Sequence, residues 1–341
     1  MRAPALAFPG SSLVACAPVE ISCAFPPSLG VVDHIVVAER LGYERAWLFD
    51  SPALYPDIWV FAALAALRTE RIGLGPAVLV PNLRHPLTQA SAIATLEQLA
   101  PGRAVAAIGT GFTGRMAMGH KPLTWASTRR YIEQLRALLR GEQVEVDGAV
   151  VQMLHGEAFA PKRPIATPIV VAANGPKGIA VARELGDGVM TIGGGEPSFD
   201  WCSALLLGTV LDNGEDAGSE RALAAAGPAL TVVFHAMYEG DPASVDGLPG
   251  GAEWRARLET IPTPQRHLAV HEDHLVRVTE RDRSLLNGDL LRAFSWTASA
   301  PELRERLDAL EATGVTEVLY APMGPDIPRE LRAFMEMATA K

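Results

Sequence analysis

The chain has 341 residues, 48% of them apolar and 20% charged, enough to bury one large α/β core. Its formal charge of −9 offers no basic field to a nucleic acid or an anionic membrane, and no uncharged run approaches the ~20 residues of a membrane helix. Three cysteines, Cys16, Cys23 and Cys202, support neither a disulfide framework nor a metal knuckle, so a reducing cytoplasm is expected and a metal site is not.

Strand-like and helix-like segments alternate from the N-terminus. Leu13-Val14-Ala15-Cys16 looks like the end of a lipoprotein signal, but Pro and Gly break the stretch before it and Arg2 is a thin charged region, so export is not expected. Residues 19–25 read as a strand and 31–41 as a helix closed by Gly42. A second strand (45–50) and helix (57–68) follow, then a third strand (71–80) and a helix from Pro86 to Ala100, stopped by Pro101-Gly102. Residues 103–109 make a fourth strand. A long helix over 124–140 carries Tyr131, Leu135 and Leu138 at helical spacing before Gly141. Residues 169–172 and 189–192, on either side of a short helix, are strands five and six.

The C-terminal half is less regular. Gly, Pro and Asp accumulate over 193–230 and 240–296, leaving 230–238, strongly strand-like, to supply the seventh strand. Ser299 and Glu302 form a capping box for a helix carrying Leu303, Leu307 and Leu310, which Gly314 ends. Residues 316–320 are the eighth strand, and a helix after Pro328 buries Leu331, Phe334, Met335 and Ala338. The expected fold is a single (β/α)8 TIM-barrel domain over residues 1–341, with insertions in the C-terminal half near the sixth and seventh loops.

Two glycine-bearing turns stand out. Asn174-Gly175-Pro176-Lys177-Gly178 links a strand to a helix whose first amides are unpaired, and such amides together with the helix dipole attract anions. Gly109-Thr110-Gly111-Phe112-Thr113-Gly114 matches the G-x-G-x-x-G pattern of dinucleotide-binding folds. In that fold a helix opens inside the motif and an acidic residue ends the next strand; here 115–122 read as loop, and Glu133 falls in mid-helix. As a barrel loop the motif lets the backbone approach a flat ring or a phosphate, or it is a tight turn with nothing bound. Loops after strands four and five lie side by side in a barrel, so the two turns are expected to converge.

The segments LGYERAWLFD (Leu41 to Asp50), RIGLGPAVLVPNLRHP (Arg71 to Pro86), QASAIATLEQLAPGRAVAAIGTG (Gln89 to Gly111) and PIVVAANGPKGIAVARELGDGV (Pro168 to Val189) resemble the bacterial-luciferase-like flavin and deazaflavin oxidoreductases. The resemblance implies a tricyclic ring at the C-terminal ends of the strands. Its phosphate would meet the backbone of Asn174, Gly175, Pro176, Lys177 and Gly178, with Ala172 and Ala173 leading in. Ala77-Val78 would form a non-prolyl cis peptide supporting one ring face, and Gly109, Thr110 and Gly111 would lie near the polar edge. Arg115 would be a phosphate partner or a solvent-facing arginine.

Departures narrow the chemistry. Sugar-phosphate dehydrogenases of the family carry a His after the aspartate ending strand two and an acid after strand four; here Ser51 and Phe112 stand there, which points to an apolar pocket lined by Phe112, Trp47 or Trp59. Asp50 keeps its place as a weak catalytic candidate or caps the following turn. His85 reads as structural. His267, His271 and His274 form no zinc pattern and are expected at the surface, beside the solvated pair Glu272-Asp273; a proton-donor role for His271 is a weak alternative.

The resemblance therefore implies an oxidoreductase moving a hydride between coenzyme F420 and a small organic substrate. The alternatives are an FMN-dependent monooxygenase supplied by a partner flavin reductase, or a non-catalytic flavin-binding barrel. A homodimer is expected, with the apolar run IWVFAALAAL in its interface or packed on its own barrel.

Overall fold

The computed structural model describes residues 18–156 and 158–340, so the signal-like segment 13–16 lies outside the described residues. Eight strands make one parallel sheet: β1 (Glu20–Phe25), β2 (Arg45–Leu48), β3 (Gly73–Pro76), β4 (Ala106–Ile108), β5 (Ile169–Ala172), β6 (Gly188–Ile192), β7 (Cys202–Leu207) and β8 (Glu317–Ala321). Their spatial order is β3-β2-β1-β8-β7-β6-β5-β4. Single bridges pair Leu74 with Ala104 and Leu79 with Ile108, between the two edge strands. There Leu74 N–H donates to the Arg103 carbonyl at 2.8 Å and Leu79 N–H to the Ala107 carbonyl at 2.7 Å. The sheet thus closes into a cylinder, as expected, and the open dinucleotide-binding fold is excluded.

A strand buried on both faces must be apolar at every position, and the alternation decides which residue faces which core. Ala24, Trp47, Val105, Ala107, Val170, Met190, Leu319 and Ala321 pack together inside the barrel. Their neighbours Cys23, Phe25, Ala46, Leu48, Ala106, Ile108, Ile169, Val171, Val318 and Tyr320 belong to the outer layer beneath the helices. That layer is covered by α1 (Val31–Leu41), α2 (Ile58–Ala66), α3 (Pro86–Leu99), α5 (Trp125–Arg140) and α6 (Pro176–Leu185), while a short α4 (Phe112–Met116) lies at the end of the barrel against the loop after β2. Gly42 and Gly141 close α1 and α5 at φ +92 and +83, the left-handed conformation that favours glycine.

Two sequence expectations are overturned between β7 and β8. Residues 230–238 are not a strand; they lie inside α7 (Glu220–Gly240). Ala222, Ala226, Leu230, Phe234 and Tyr238 are all buried at four-residue spacing, so a helical stripe prevails over the β propensity of Thr231-Val232-Val233-Phe234. The seventh strand is Cys202-Ser203-Ala204-Leu205-Leu206-Leu207, which lacks β-branched residues; its pairing with β6 and β8 holds it extended. The chain after β7 holds α7, α8 (Gly251–Glu259), α9 (Arg266–Val270) and α10 (Gly288–Phe294). They enclose a core of their own around Phe234, Trp254, Leu258 and Leu291. The sixth loop, 193–201, is short, so the large insertion follows the seventh strand. The expected capping box of Ser299 and Glu302 opens α11 (Ala300–Glu311), and α12 (Ile327–Thr339) buries Leu331, Phe334, Met335 and Ala338 as expected.

The N-terminal end of the barrel is sealed by Glu317, fully buried at the start of β8. Its carboxylate accepts from Ser22 Oγ (2.5 Å), Trp47 Nε1 (3.3 Å), Trp201 Nε1 (2.7 Å) and Ser203 Oγ, and pairs with Arg45 at 3.1 Å. A buried carboxylate with this many donors is compensated, and it fixes the floor at the N-terminal ends of the strands.

Candidate cofactor and substrate site

The C-terminal rim gathers the segments singled out in the sequence. Strand pairing places Ile108 beside Val171, so the turns leaving β4 and β5 start next to each other. A Cβ added to Gly109 would lie 3.0 Å from Val78 Cγ2 and 3.5 Å from Ala172 Cβ. Gly109 therefore sits between the exits of β3 and β5. The Ala77-Val78 peptide is cis and non-prolyl, as the resemblance implied. Gly111 has φ +80, and a Cβ there would come within 2.3 Å of Val80 Cγ1; only glycine fits. One expectation fails here, because α4 opens at Phe112, inside the glycine motif, where loop was expected. Phe112 is half exposed, Thr110 is partly buried, and Arg115 Nε donates to the Lys121 carbonyl at 2.6 Å, bracing its own loop.

The turn after β5 is built differently. Asn174, Gly175, Pro176 and Lys177 are exposed, and Asn174 Oδ1 accepts from Ile192 N–H at 2.8 Å, tying the exits of β5 and β6 together. Gly175 is the N-cap of α6, in extended conformation, with no side-chain cap. Pro176 has no N–H, and the Gly178 and Ile179 amides both turn back to the Gly175 carbonyl at 3.0 Å. The Lys177 amide has no acceptor among the described residues and stands at the positive end of the helix. Gly178 is buried for a different reason: a Cβ there would lie 2.3 Å from Trp125 Cζ2, so it lets α5 pack on α6.

The loop after β2 completes the rim. Asp50 and Ser51 are buried, and Arg84 donates to Asp50 at 2.5 Å and to Asp57 at 2.8 Å. Burial pushes the Asp50 carboxyl above its ordinary value, and the Arg84 guanidinium opposes this. Asp50 therefore locks the second loop to the third. Gly114 approaches the same loop, where a Cβ would be 3.2 Å from the Asp50 carbonyl oxygen and 3.3 Å from Ser51 Oγ. His85 caps α3 by accepting from Leu87 N–H, the structural role expected of it.

Four side chains lie elsewhere than expected. Trp47 is on the barrel floor, bonded to Glu317, and Trp59 is on α2 against the outer layer, so neither lines a pocket at the rim. His271 and His274 are 2% and 6% exposed rather than at the surface. Polar groups on α7 and in the loops around the pair account for this, and sequence reasoning missed them. Glu239, at the end of α7, contacts His271 Nε2 at 2.7 Å, and Tyr55 donates to the His274 carbonyl at 2.5 Å. The separations of 32 and 219 residues leave no local signal for either contact.

The family model for luciferase-like monooxygenases matches residues 25–201, just over half of the chain. The chain belongs to this family. A 5,10-methylenetetrahydromethanopterin reductase of Archaeoglobus fulgidus is 28% identical over 325 residues, covering 88% of this chain and 91% of the relative. An F420-dependent glucose-6-phosphate dehydrogenase of Beutenbergia cavernae is 31% identical over 246 residues, 65% of this chain and 68% of the relative. Among solved structures, the coenzyme F420-dependent tetrahydromethanopterin reductase of Methanopyrus kandleri superposes with a TM-score of 0.67 at 22% identity, covering 94% of this chain and 98% of that one. That likeness establishes the barrel fold of this luciferase-like protein.

Proposed function

We propose that this luciferase-like protein is an oxidoreductase that uses coenzyme F420 to move a hydride to or from a small organic substrate. One observation carries the reading: Ala77-Val78, Gly109 to Gly111 and the turn after β5 come together at one end of a closed barrel. The relatives named above add to it, since F420 stands in the descriptions of two of them.

The residues fit such a group. Gly109 and Gly111 let Val78 and Val80 pack close against the loop after β4, beside the cis peptide at Ala77-Val78, while Ala172 and Ala173 lead into an exposed turn whose Lys177 amide and side chain suit a phosphate. When bound, the deazaflavin supplies hydride transfer. The chain's own part is to position and to shield. Gly175, Pro176 and Lys177 anchor the charged tail, Thr110 and Gly111 border the polar edge, Gly178 holds α6 close, and Arg115 stiffens its loop. Asp50, held by Arg84, fixes the second loop rather than meeting substrate. Ser51 and half-exposed Phe112 suit an uncharged, mainly apolar substrate.

The second reading, an FMN-dependent monooxygenase fed by a flavin reductase, is favoured by the family description itself. Fluorescence titration of the purified chain with F420 and FMN separates the two. Binding of F420 with hydride transfer and no oxygen uptake is expected; FMN binding with oxygen consumption would overturn the proposal.

The reading treats 1–341 as one barrel domain, in the cytoplasm and paired as a homodimer. Buried, unpaired Cys23 and Cys202 suit a reducing compartment, and among the described residues no helix is long and apolar enough to cross a membrane. Val60 and Leu64 on α2 and Leu67 at its C-cap are 57%, 46% and 69% exposed, an apolar stripe that a second copy would cover. Light scattering after gel filtration should show a dimer, and Leu64→Glu a monomer; a monomeric wild-type chain would remove this part.

A further inference from the structure

Three histidines of the insertion after β7 are buried, and they differ in what faces them. The His271 and His235 rings lie 5.4 and 6.4 Å from the His274 ring, centre to centre. Among the described residues no group of side chains is placed to hold a metal ion. His271 Nε2 is 2.7 Å from Glu239 on α7, and His235 Nε2 is 3.4 Å from Asp282, so each of these rings has a carboxylate to balance a proton. His274 has none among the described residues, and its buried Nδ1 has no hydrogen-bond partner there. The other charges beside it are already paired: Glu272 with Arg281 at 2.8 Å and Asp273 with Arg277 at 2.5 Å. A proton on the buried His274 ring is therefore an unbalanced charge next to two rings that take theirs more readily.

His274 also holds its own segment down. The chain is anchored at His271 by Glu239 and again at Thr279, whose hydroxyl donates to Asp282 at 2.8 Å. Of residues 272–277 between these anchors, only His274 is buried. Asp273 and Leu275 on either side of it have φ of +54 and +58, a left-handed conformation that leucine seldom adopts. The segment is thus held against its backbone preference by the buried ring and by the Tyr55 hydroxyl, which donates to the His274 carbonyl at 2.5 Å. Tyr55 lies in the loop after β2, so this bond ties the insertion to the barrel. Asp273, His274 and Val276 share the wall of a cavity of about 220 Å³ with Ala53, Tyr55 and Ala117.

We propose that residues 272–277 are an acid-released strap: near neutral pH the uncharged His274 ring seats the strap against the loop after β2, and protonation of that ring frees it and opens the cavity. Burial, with His271 and His235 nearby, pushes His274 down to about 3 while the strap is closed. A released ring returns to its ordinary value near 6.5. The open state then binds the extra proton, so closure is at full strength above about pH 6.5 and is lost as pH falls from there toward 3. The opening constant should rise about 25-fold between pH 7 and pH 5. The strap works in this way whichever cofactor the barrel holds.

The test follows amide hydrogen exchange in the full-length protein at pH 7 and pH 5, corrected for the intrinsic pH dependence of exchange. Peptides holding the Val276 and Arg277 amides, which donate to the Asp273 carbonyl at 2.9 and 3.2 Å, report the strap, and peptides from β1 and β8 report the barrel. Strap protection should fall about 25-fold at pH 5 while barrel protection holds. His274→Leu and His274→Gln, neither of which takes a proton, should remove the pH dependence. Tyr55→Phe should lower strap protection about fivefold at both pH values and keep the pH dependence, because it deletes a hydrogen bond that does not titrate in this range. Equal corrected protection at pH 7 and pH 5 in the wild type, a drop shared by β1 and β8, or a pH dependence that survives in either His274 variant would overturn the strap.

Discussion

Gly175→Asp separates two properties of the turn after β5 that would otherwise be confounded. Gly175 is the N-cap of α6, extended at φ −113, and a Cβ there meets nothing within 4 Å, so the aspartate is accommodated without strain. Aspartate is a favoured N-cap and its charge complements the helix dipole, so stability should rise by about 0.3–1 kcal/mol. The same carboxylate would take the amides left for the cofactor's anion and would repel it. At ~5 Å and an effective dielectric of 20 to 80 the repulsion is about 1–3 kcal/mol per charge, or roughly tenfold to a hundredfold in affinity. Gly175→Asn caps without charge and should lose far less. The assay pairs F420 fluorescence titration with thermal melting at low and moderate salt. A melting temperature that rises while F420 affinity stays at the wild-type value would refute the placement of the anion at this turn.

Three further outcomes follow from the same geometry. Gly111→Ala, at φ +80 and with Val80 Cγ1 only 2.3 Å from the new Cβ, should cost about 2–4 kcal/mol in urea unfolding, combining left-handed strain with overpacking. Arg84→Met leaves Asp50 buried without its cation and should cost about 3–5 kcal/mol near neutral pH. Because burial already raises the Asp50 pKa and Arg84 holds it down, the variant's carboxyl titrates higher, and the deficit should shrink as pH falls and Asp50 takes a proton; an equal deficit at pH 5 and pH 8 would contradict this. Burial pushes the Glu215 carboxyl up, but Arg221, Ser219 and the Asp212 amide outweigh it and bring the pKa down to about 2. Its stabilising contribution is thus present above the unfolded value near 4.3 and lost as pH falls toward 2. Glu215→Gln should remove about 1–2 kcal/mol of acid-side stability loss after allowance for solvent screening.

The barrel was legible wherever local pattern and final environment agree. Strands one to six and eight are apolar runs bounded by Gly, Pro or a cap, and Gly42, Gly141 and the Ser299–Glu302 box mark helix ends by backbone chemistry that sequence displays directly. The seventh strand was misplaced because Cys202 to Leu207 has no β-branched residue, while Thr231 to Phe234 mimics a strand within a helix whose buried stripe spans five turns. At the rim, the glycines at 109 and 111 were readable as a turn that needs small residues: a Cβ would lie 2.3 Å from Val80 Cγ1 at 111 and 3.0 Å from Val78 Cγ2 at 109, valine contacts that the motif itself does not announce. The burial of His271 and His274 was not readable, since Glu239 and Tyr55 meet them through the fold and nothing in a charged stretch such as His-Glu-Asp-His announces an interior.

The segment after β7 encloses its own nonpolar nucleus around Phe234 and Trp254 instead of borrowing the cylinder's. Each compartment can consequently accept substitutions that the other does not feel, because free-energy changes at separated sites add with little coupling. On the proposed reading, the insertion can be exchanged as a cassette over evolutionary time while the β-cylinder keeps the redox group in register.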